Sequence, residues 1–288
     1  MTDWLNIRSM LFMPADADRM IAGATSRGAD AVILDLEDAV APSRKDAARA
    51  ALAGAVAQIG GRLPVLVRVN SDPERIVDDA RASAIAGVSA IMLPKVGSAA
   101  AAIRIDGMLA ASERAAGLPE GSIGLVAVIE DPAAMPFLTQ IASATPRLVA
   151  LGFGSEDFAA ALGIQPTQAA LTLPAQTTAL AARARGLAAV GVPGPVGVID
   201  NLERFRGLAS SAFELGFTGV LCIHPRQVAI VNEILMPSAA EIEAAQRVVD
   251  LFDAAVARGE GAIAVDGKMI DRPVADQARR ILRNAKRA

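Results

Sequence analysis

Short apolar runs alternate along the chain with alanine-rich segments of helical period, and eight of the runs have the length of a buried strand. They cover 9–14 (SMLFMP), 31–37 (AVILDLE), 64–70 (PVLVRVN), 90–96 (AIMLPKV), 124–130 (GLVAVIE), 148–154 (LVALGFG), 187–193 (LAAVGVP) and 219–225 (GVLCIHP). Between them, stretches such as 44–59, 74–86, 99–116 and 202–215 predict helices, because alanine costs no side-chain entropy there. Gly28, Gly60, Gly87, Gly117 and Gly216 close these segments just before the next strand. Parallel strands need covering helices and right-handed crossovers, so eight such units predict an α/β fold, a closed (β/α)8 or TIM barrel. An open doubly wound sheet is the alternative. Against it, no GxGxxG follows an early strand, and GVPGPVG (191–197) has prolines where a phosphate loop needs amides.

Beyond the eighth unit a helix from about Arg226 runs into Met236-Pro237-Ser238, and Ser238 with Glu241 predicts a capping box. A long amphipathic helix over 239–257, a glycine-punctuated loop over 258–273 and a last helix from Val274 to about Lys286 follow. The expected organisation is therefore a barrel over 1–238 and a C-terminal helical extension over 239–288, serving as a barrel cap or as a lid over a site.

Hydrophobic residues make up 53% of the chain, yet no segment approaches about 18 uninterrupted apolar residues, so no membrane span is expected. The N-terminus MTDWLNIRSMLFMP lacks the pattern of a secretory signal, which points to the cytoplasm. A lone cysteine, Cys222, forms no internal disulfide and reads as a small apolar strand residue. Net charge is −3 and aromatics are 3%, so no nucleic-acid partner is expected. The basic tail RRILRNAKRA suits the C-terminal end of a helix, or a phosphate partner.

A barrel of this kind builds its site at the C-terminal ends of its strands. Those ends carry Pro14, Asp35, Glu37, Asp38, Arg68, Asn70, Lys95, Glu130, Asp131, Glu156, Asp157 and His224. So many carboxylates would raise one another's pKa unless a cation offset them, and the simplest is a hard divalent metal, magnesium first and manganese as its substitute. One histidine and one cysteine make zinc a poor choice. Arg68 ends a strand of Val and Leu, either as partner to a neighbouring acid or as a bidentate clamp for a substrate carboxylate, with Lys95 as a second cation nearby. His224, before a proline, reads as structural rather than as a general base. Ser155 has neither a nearby histidine nor a GxSxG elbow.

Together, RSMLFMPADADRM, GADAVILDLEDAVAP, VRVN, MLPKV, the strand ending in Glu130, LGFGSEDFAAALG, GFTGVLCIHPRQV and DGKMIDRP resemble the citrate lyase beta subunit family, which includes malyl-CoA and citramalyl-CoA lyases. The likeness runs in order over nearly the whole chain. It implies a (β/α)8 barrel, assembled as a homotrimer or hexamer, that handles CoA thioesters of hydroxy acids with magnesium. It maps the metal ligands onto Glu130 and Asp157 and the oxo-acid-binding arginine onto Arg68. A catalytic aspartate of the lid maps onto Asp271, serving a neighbouring subunit's site. Two departures stand out: Asp131 replaces the usual threonine after Glu130, and Ala15 and Gly23 stand where the first motif usually has glycine and a basic residue. Arg8 and Arg19 remain as candidates for the CoA phosphates. Beside Glu130 and Asp157, Glu37 and Asp38 take a supporting catalytic role, orienting waters on the metal or Arg68, and Asp35 reads as structural.

The leading expectation is a carbon–carbon lyase that reversibly cleaves a 3-hydroxyacyl-CoA to an acyl-CoA and a 2-oxo acid. The rivals are a metal-dependent aldolase on free 2-oxo acids, a malyl-CoA thioesterase, and a citrate lyase beta-type subunit of a larger complex.

Overall fold

The computed structural model describes residues 2–197, 199–265 and 267–285. Contacts divide the chain into two compact units, residues 1–231 and 232–288.

The first unit is built on eight parallel strands: β1 (Ser9–Pro14), β2 (Ala31–Asp35), β3 (Val65–Arg68), β4 (Val88–Leu93), β5 (Gly124–Ile129), β6 (Leu148–Phe153), β7 (Ala188–Gly191) and β8 (Val220–Cys222). Each pairs with its sequence neighbour and β8 returns to β1. The ring closes between β7 and β8 through a parallel bridge at Val190 and Gly219, where Gly191 N donates to Gly219 O at 3.1 Å. The expected barrel is present.

Helices fill the crossovers: α1 (Asp18–Ala22), α2 (Lys45–Ile59), α3 (Ile76–Ser83), α4 (Ala99–Ala115), α5 (Leu138–Ile141), α6 (Ser155–Leu162), α7 (Gln168–Arg183), α8 (Leu202–Glu214) and α9 (Pro225–Ile234). Several strands are shorter than the apolar runs that predict them. β4 stops at Leu93 because Pro94 has no N–H for the ladder and Lys95 then turns to φ 54°. β7 stops at Gly191, whose φ is 138°.

Inside the barrel, Met10, Ala31, Ile33, Leu66, Ala90, Met92, Val126, Val128, Ala150, Val190 and Leu221 form one buried cluster, with Phe12 packed against it. Successive inward positions lie two residues apart along each strand, so this cluster predicts what comes next at the C-terminal end. Two beyond Ile33 is Asp35, two beyond Leu66 is Arg68, and two beyond Val128 is Glu130. The site residues are therefore the next layer above a packed apolar core.

Below the core, near the strands' N-terminal ends, a buried network has no counterpart in the sequence reading. Arg147, just before β6, donates to both carboxylate oxygens of Glu113 on α4 at 2.9 and 2.7 Å, and to Ile123 O at 2.9 Å. It also pairs with Asp106. Burial works against the Glu113 charge, but Arg147 and the amides of Gly121 and Ile123 hold its carboxyl below the usual range.

In the second unit, Ser238 caps α10 (Ala239–Ala257) by the expected reciprocal box, with Glu241 N donating to Ser238 Oγ at 3.2 Å and Ser238 N to Glu241 Oε2 at 2.8 Å. The stretch expected to be a loop is instead an antiparallel hairpin, β9 (Ala262–Val265) and β10 (Lys268–Asp271). Its strands are only four residues long and half exposed, which is too short a pattern to separate from a loop. The last helix, α11, spans Arg272–Ala285, and its expected end at Lys286 lies outside the described residues. Phe252, Ile270 and Ala275 form a small core shared by α10, β10 and α11.

Candidate active site

Asp35 and Arg68 are aligned partners on β2 and β3, so strand register alone brings them side by side. Arg68 Nε donates to Asp35 Oδ1 at 2.7 Å and its Nη2 to Oδ2 at 2.6 Å, a bidentate pair with Asp35 fully buried. Nη1 reaches Asp38 at 3.1 Å and Glu37 at 3.2 Å. The guanidinium lies over the Phe12 ring at 4.8 Å. Burial disfavours its charge, but Asp35 and its neighbours more than offset this and hold its pKa above the ordinary arginine value. Arg68 is thus an ion-pair partner, and Asp35 is the acid that orients it, a more specific role than the structural one expected.

The turn after β2 is fixed by its own sequence. Asp35 accepts from Glu37 N at 2.8 Å and Ala39 N at 3.0 Å. Lys45, the first residue of α2, donates its ammonium to Leu36 O at 2.8 Å and Glu37 O at 2.6 Å. Glu37 is buried, and desolvation, opposed by Arg68, raises its pKa. Lys95 Nζ stands 3.5 Å from Glu37 Oε1.

Across the barrel mouth, Glu130 follows β5 and is also buried. Its Oε2 accepts from Lys95 N at 2.7 Å, and Lys95 is the one non-glycine residue with positive φ among the described residues. That unusual backbone aims the amide at the carboxylate. Burial, with the charge of Asp157 added, pushes Glu130 up to about 7. Gly154, after β6, makes room for it: a Cβ there would lie 2.5 Å from Glu130 Oε1. Asp157 sits in the first turn of α6.

Arg68, Glu130, Asp157, Asp35, Asp38 and Glu156 all line one cavity of about 540 Å³ at the strands' C-terminal ends. Apart from Ser155 and two glycines, its remaining lining is apolar, including Phe12, Met92, Val128 and Leu221. Glu156 Oε1 accepts from Gly197 N at 3.2 Å and buried Ser155 donates to Gly194 O at 2.6 Å, so both tie down the segment after β7. Among the described residues no three His, Cys, Asp or Glu side chains gather as a metal cage. A cation here would rest on two carboxylates, Glu130 and Asp157, with oxygen donors only and positions left for a ligand, which fits magnesium and not zinc.

Several sequence candidates fall elsewhere. Arg8 stands before β1, at the opposite end of the barrel, where its Nε and backbone N hold Asp30 at 2.9 and 2.8 Å. It is an ion-pair anchor at the barrel base and not a phosphate ligand. Arg19 is exposed on α1, beside the cavity residue Met20. Asn70 is taken up by Asp79 at 2.6 Å, and Asp131 caps the following turn by accepting from Ala133 N at 2.8 Å. His224 Nδ1 accepts from Arg226 N at 3.1 Å, the structural role expected of it. Asp271 ends β10, with Val274 N 3.3 Å from its Oδ1. Gly154, Lys45 and Phe12 were not legible as site residues, because their roles depend on neighbours distant in sequence.

The chain is similar to known proteins. Residues 8–225 match the family described as HpcH/HpaI aldolase/citrate lyase. The L-malyl-CoA/beta-methylmalyl-CoA lyase of Cereibacter sphaeroides is 34% identical over 96% of this chain and 94% of its own. The citrate lyase subunit beta of Leuconostoc mesenteroides subsp. cremoris is 32% identical over 96% and 93%. Among solved structures, protein CitE from Mycobacterium tuberculosis, in complex with magnesium, acetoacetate and coenzyme A, superimposes with a TM-score of 0.75 at 32% identity, covering 97% of this chain and 98% of that one. The chain belongs to the HpcH/HpaI aldolase/citrate lyase family.

Proposed function

We propose that the protein is a magnesium-dependent carbon–carbon lyase that reversibly cleaves a 3-hydroxyacyl-CoA of the malyl-CoA or citramalyl-CoA type to an acyl-CoA and a 2-oxo acid. The observation that carries this reading is one cavity in which Arg68 faces the carboxylate pair Glu130 and Asp157. A magnesium ion held by that pair supplies Lewis-acid polarisation of the oxo acid's carbonyl. Similarity to the malyl-CoA lyase and to the magnesium and coenzyme A complex supports both the metal and the thioester.

In this reading Arg68 receives the oxo acid's carboxylate, taking it up on Nη1 as exposed Asp38 gives way, while Asp35 keeps the guanidinium in plane. In the condensing direction Asp271 takes a proton from the thioester's α-carbon. The resulting carbanion attacks the carbonyl carbon, and the alkoxide so formed takes up a proton. Cleavage reverses each step. Asp271 is assigned from its MIDRP segment and acts from a neighbouring subunit of a homo-oligomer, a trimer or hexamer. Lys95 and Arg19 are assigned to the thioester side of the site, and Glu37 and Asp38 to ordering it. The protein works in the cytoplasm; no described helix is long and apolar enough to cross a membrane.

Condensation of acetyl-CoA with a 2-oxo acid tests the assignment, against pyruvate plus an aldehyde for the free-acid aldolase. Asp271→Ala should abolish turnover and leave magnesium binding, measured by calorimetry, intact; undiminished turnover would sink the assignment. Glu130→Ala or Asp157→Ala should remove metal-dependent activity, and full activity in excess chelator would remove magnesium from the account.

A further inference from the structure

Every described residue with positive φ is a glycine except one, Lys95, at φ 54°. A side chain in the left-handed region strains the backbone, so glycine is the default there, and a lysine in its place points to a use for the side chain. That side chain is half exposed, and its Nζ lies 3.5 Å from Glu37 Oε1, whereas the backbone N donates to Glu130 Oε2 at 2.7 Å. Lys95 follows β4 and Glu37 follows β2, so the ammonium reaches across β3, the strand that ends in Arg68.

The carboxylate of Glu37 is thereby divided between two cations. Its Oε1 faces Lys95 and, at 3.4 Å, the Ser71 hydroxyl, while Oε2 lies 3.2 Å from Arg68 Nη1. Asp35 occupies Nε and Nη2 of the guanidinium, which leaves Nη1 as the nitrogen shared by Glu37 and exposed Asp38. A carboxylate arriving at Nη1 must therefore displace Asp38 and compete with Glu37. Asp38 can swing into water, but Glu37 is buried, and a buried charge needs a partner. Without the ammonium of Lys95, that charge would fall wholly to Arg68 and oppose the incoming carboxylate.

We infer that Lys95 is a positioning residue for Arg68: by holding Glu37 it keeps Nη1 open to a carboxylate without touching that carboxylate itself. Neither Lys95 nor Glu37 lines the cavity, whereas Arg68 and Asp38 do. The inference rests on the lyase reading for the carboxylate that Arg68 takes up, and on this chain of contacts for the part that Lys95 plays.

The test is calorimetric titration of the full-length protein, first with magnesium chloride and then, at saturating magnesium, with pyruvate as the carboxylate probe. Lys95→Met should weaken pyruvate about fivefold, the worth of one ion pair near a surface. Magnesium should bind that variant as tightly as the wild type or more tightly, since the backbone N–H to Glu130 stays and a positive charge nearby goes. Lys95→Gly, which also relieves the backbone, should do the same, and Lys95→Arg should restore pyruvate. Adding Glu37→Gln to Lys95→Met removes the competing charge, so the double variant should bind pyruvate as tightly as the wild type. Undiminished pyruvate binding in Lys95→Met overturns the inference, as does loss of magnesium together with pyruvate, which marks a structural role. A double variant as weak as Lys95→Met overturns it too, because Lys95 would then meet the ligand directly. If the predicted pattern holds but no acyl-CoA condenses with any 2-oxo acid, the lyase reading fails and the assignment of Lys95 stands.

Discussion

At Glu130 a carboxylate is buried beside a second acid, and this sets a pH dependence. Burial, with Asp157 added, raises its pKa to about 7 against the pull of the Lys95 amide, so in the metal-free protein a proton occupies the group below neutrality. A folded-state pKa above the unfolded one favours the native state at low pH, and that contribution is lost as pH rises through about 7. For magnesium the sign reverses, since the ion must displace the proton: its affinity should fall by roughly tenfold per pH unit below 7. Calorimetry at pH 6 and pH 8 checks this. Gly154→Ala, whose methyl would collide with the Glu130 carboxylate, should weaken magnesium at both pH values; an unchanged affinity would mean that the carboxylate has another seat. Glu130 and Asp157 were legible as acids at strand exits, and Arg68 as a charge at the end of an apolar strand. An acid partner for Arg68 was one of its two readings, with Glu37 and Asp38 as candidates; that Asp35 takes the bidentate place was not legible, because the two meet only through strand register.

At the scale of elements, the turn between β2 and α2 is held by Lys45, and the base of β6 by Arg147. Arg147 is 6% exposed and Glu113 fully buried, so removing one partner leaves a buried charge behind. Arg147→Met should therefore cost about 3–5 kcal/mol of stability, read from urea unfolding, with the cavity's ligand specificity retained. A loss under about 1 kcal/mol would make the network dispensable. Helix and strand identity followed from periodicity, and the ends from proline and glycine, as at Pro94 and Gly191. The hairpin at β9 and β10 was missed because four half-exposed residues carry no period to read.

At the scale of the whole molecule, the site is proposed to borrow Asp271 from another subunit, and that has a direct consequence. Arg68→Ala and Asp271→Ala are each expected to be inactive, yet mixed oligomers of the two should recover activity, since some sites would then combine an intact Arg68 with an intact Asp271. Absence of recovery in verified mixed oligomers would place Asp271 in its own subunit's site. Mass measurement of the purified protein gives the subunit number.

The sequence alone determined the class of fold and the kind of site. Eight apolar runs separated by helical segments leave few arrangements that bury both faces of every strand, and a closed ring of parallel strands sends all their C-terminal residues to one end. Only the tertiary structure decided which of those residues share a cavity and what each one touches. It paired Arg68 with Asp35 across two strands, sent Arg8 to the barrel base, left no room for a side chain at 154 beside Glu130, and gathered Arg68, Glu130 and Asp157 around one cavity. Those outcomes follow from register and packing between segments far apart in the chain, where local composition carries no information.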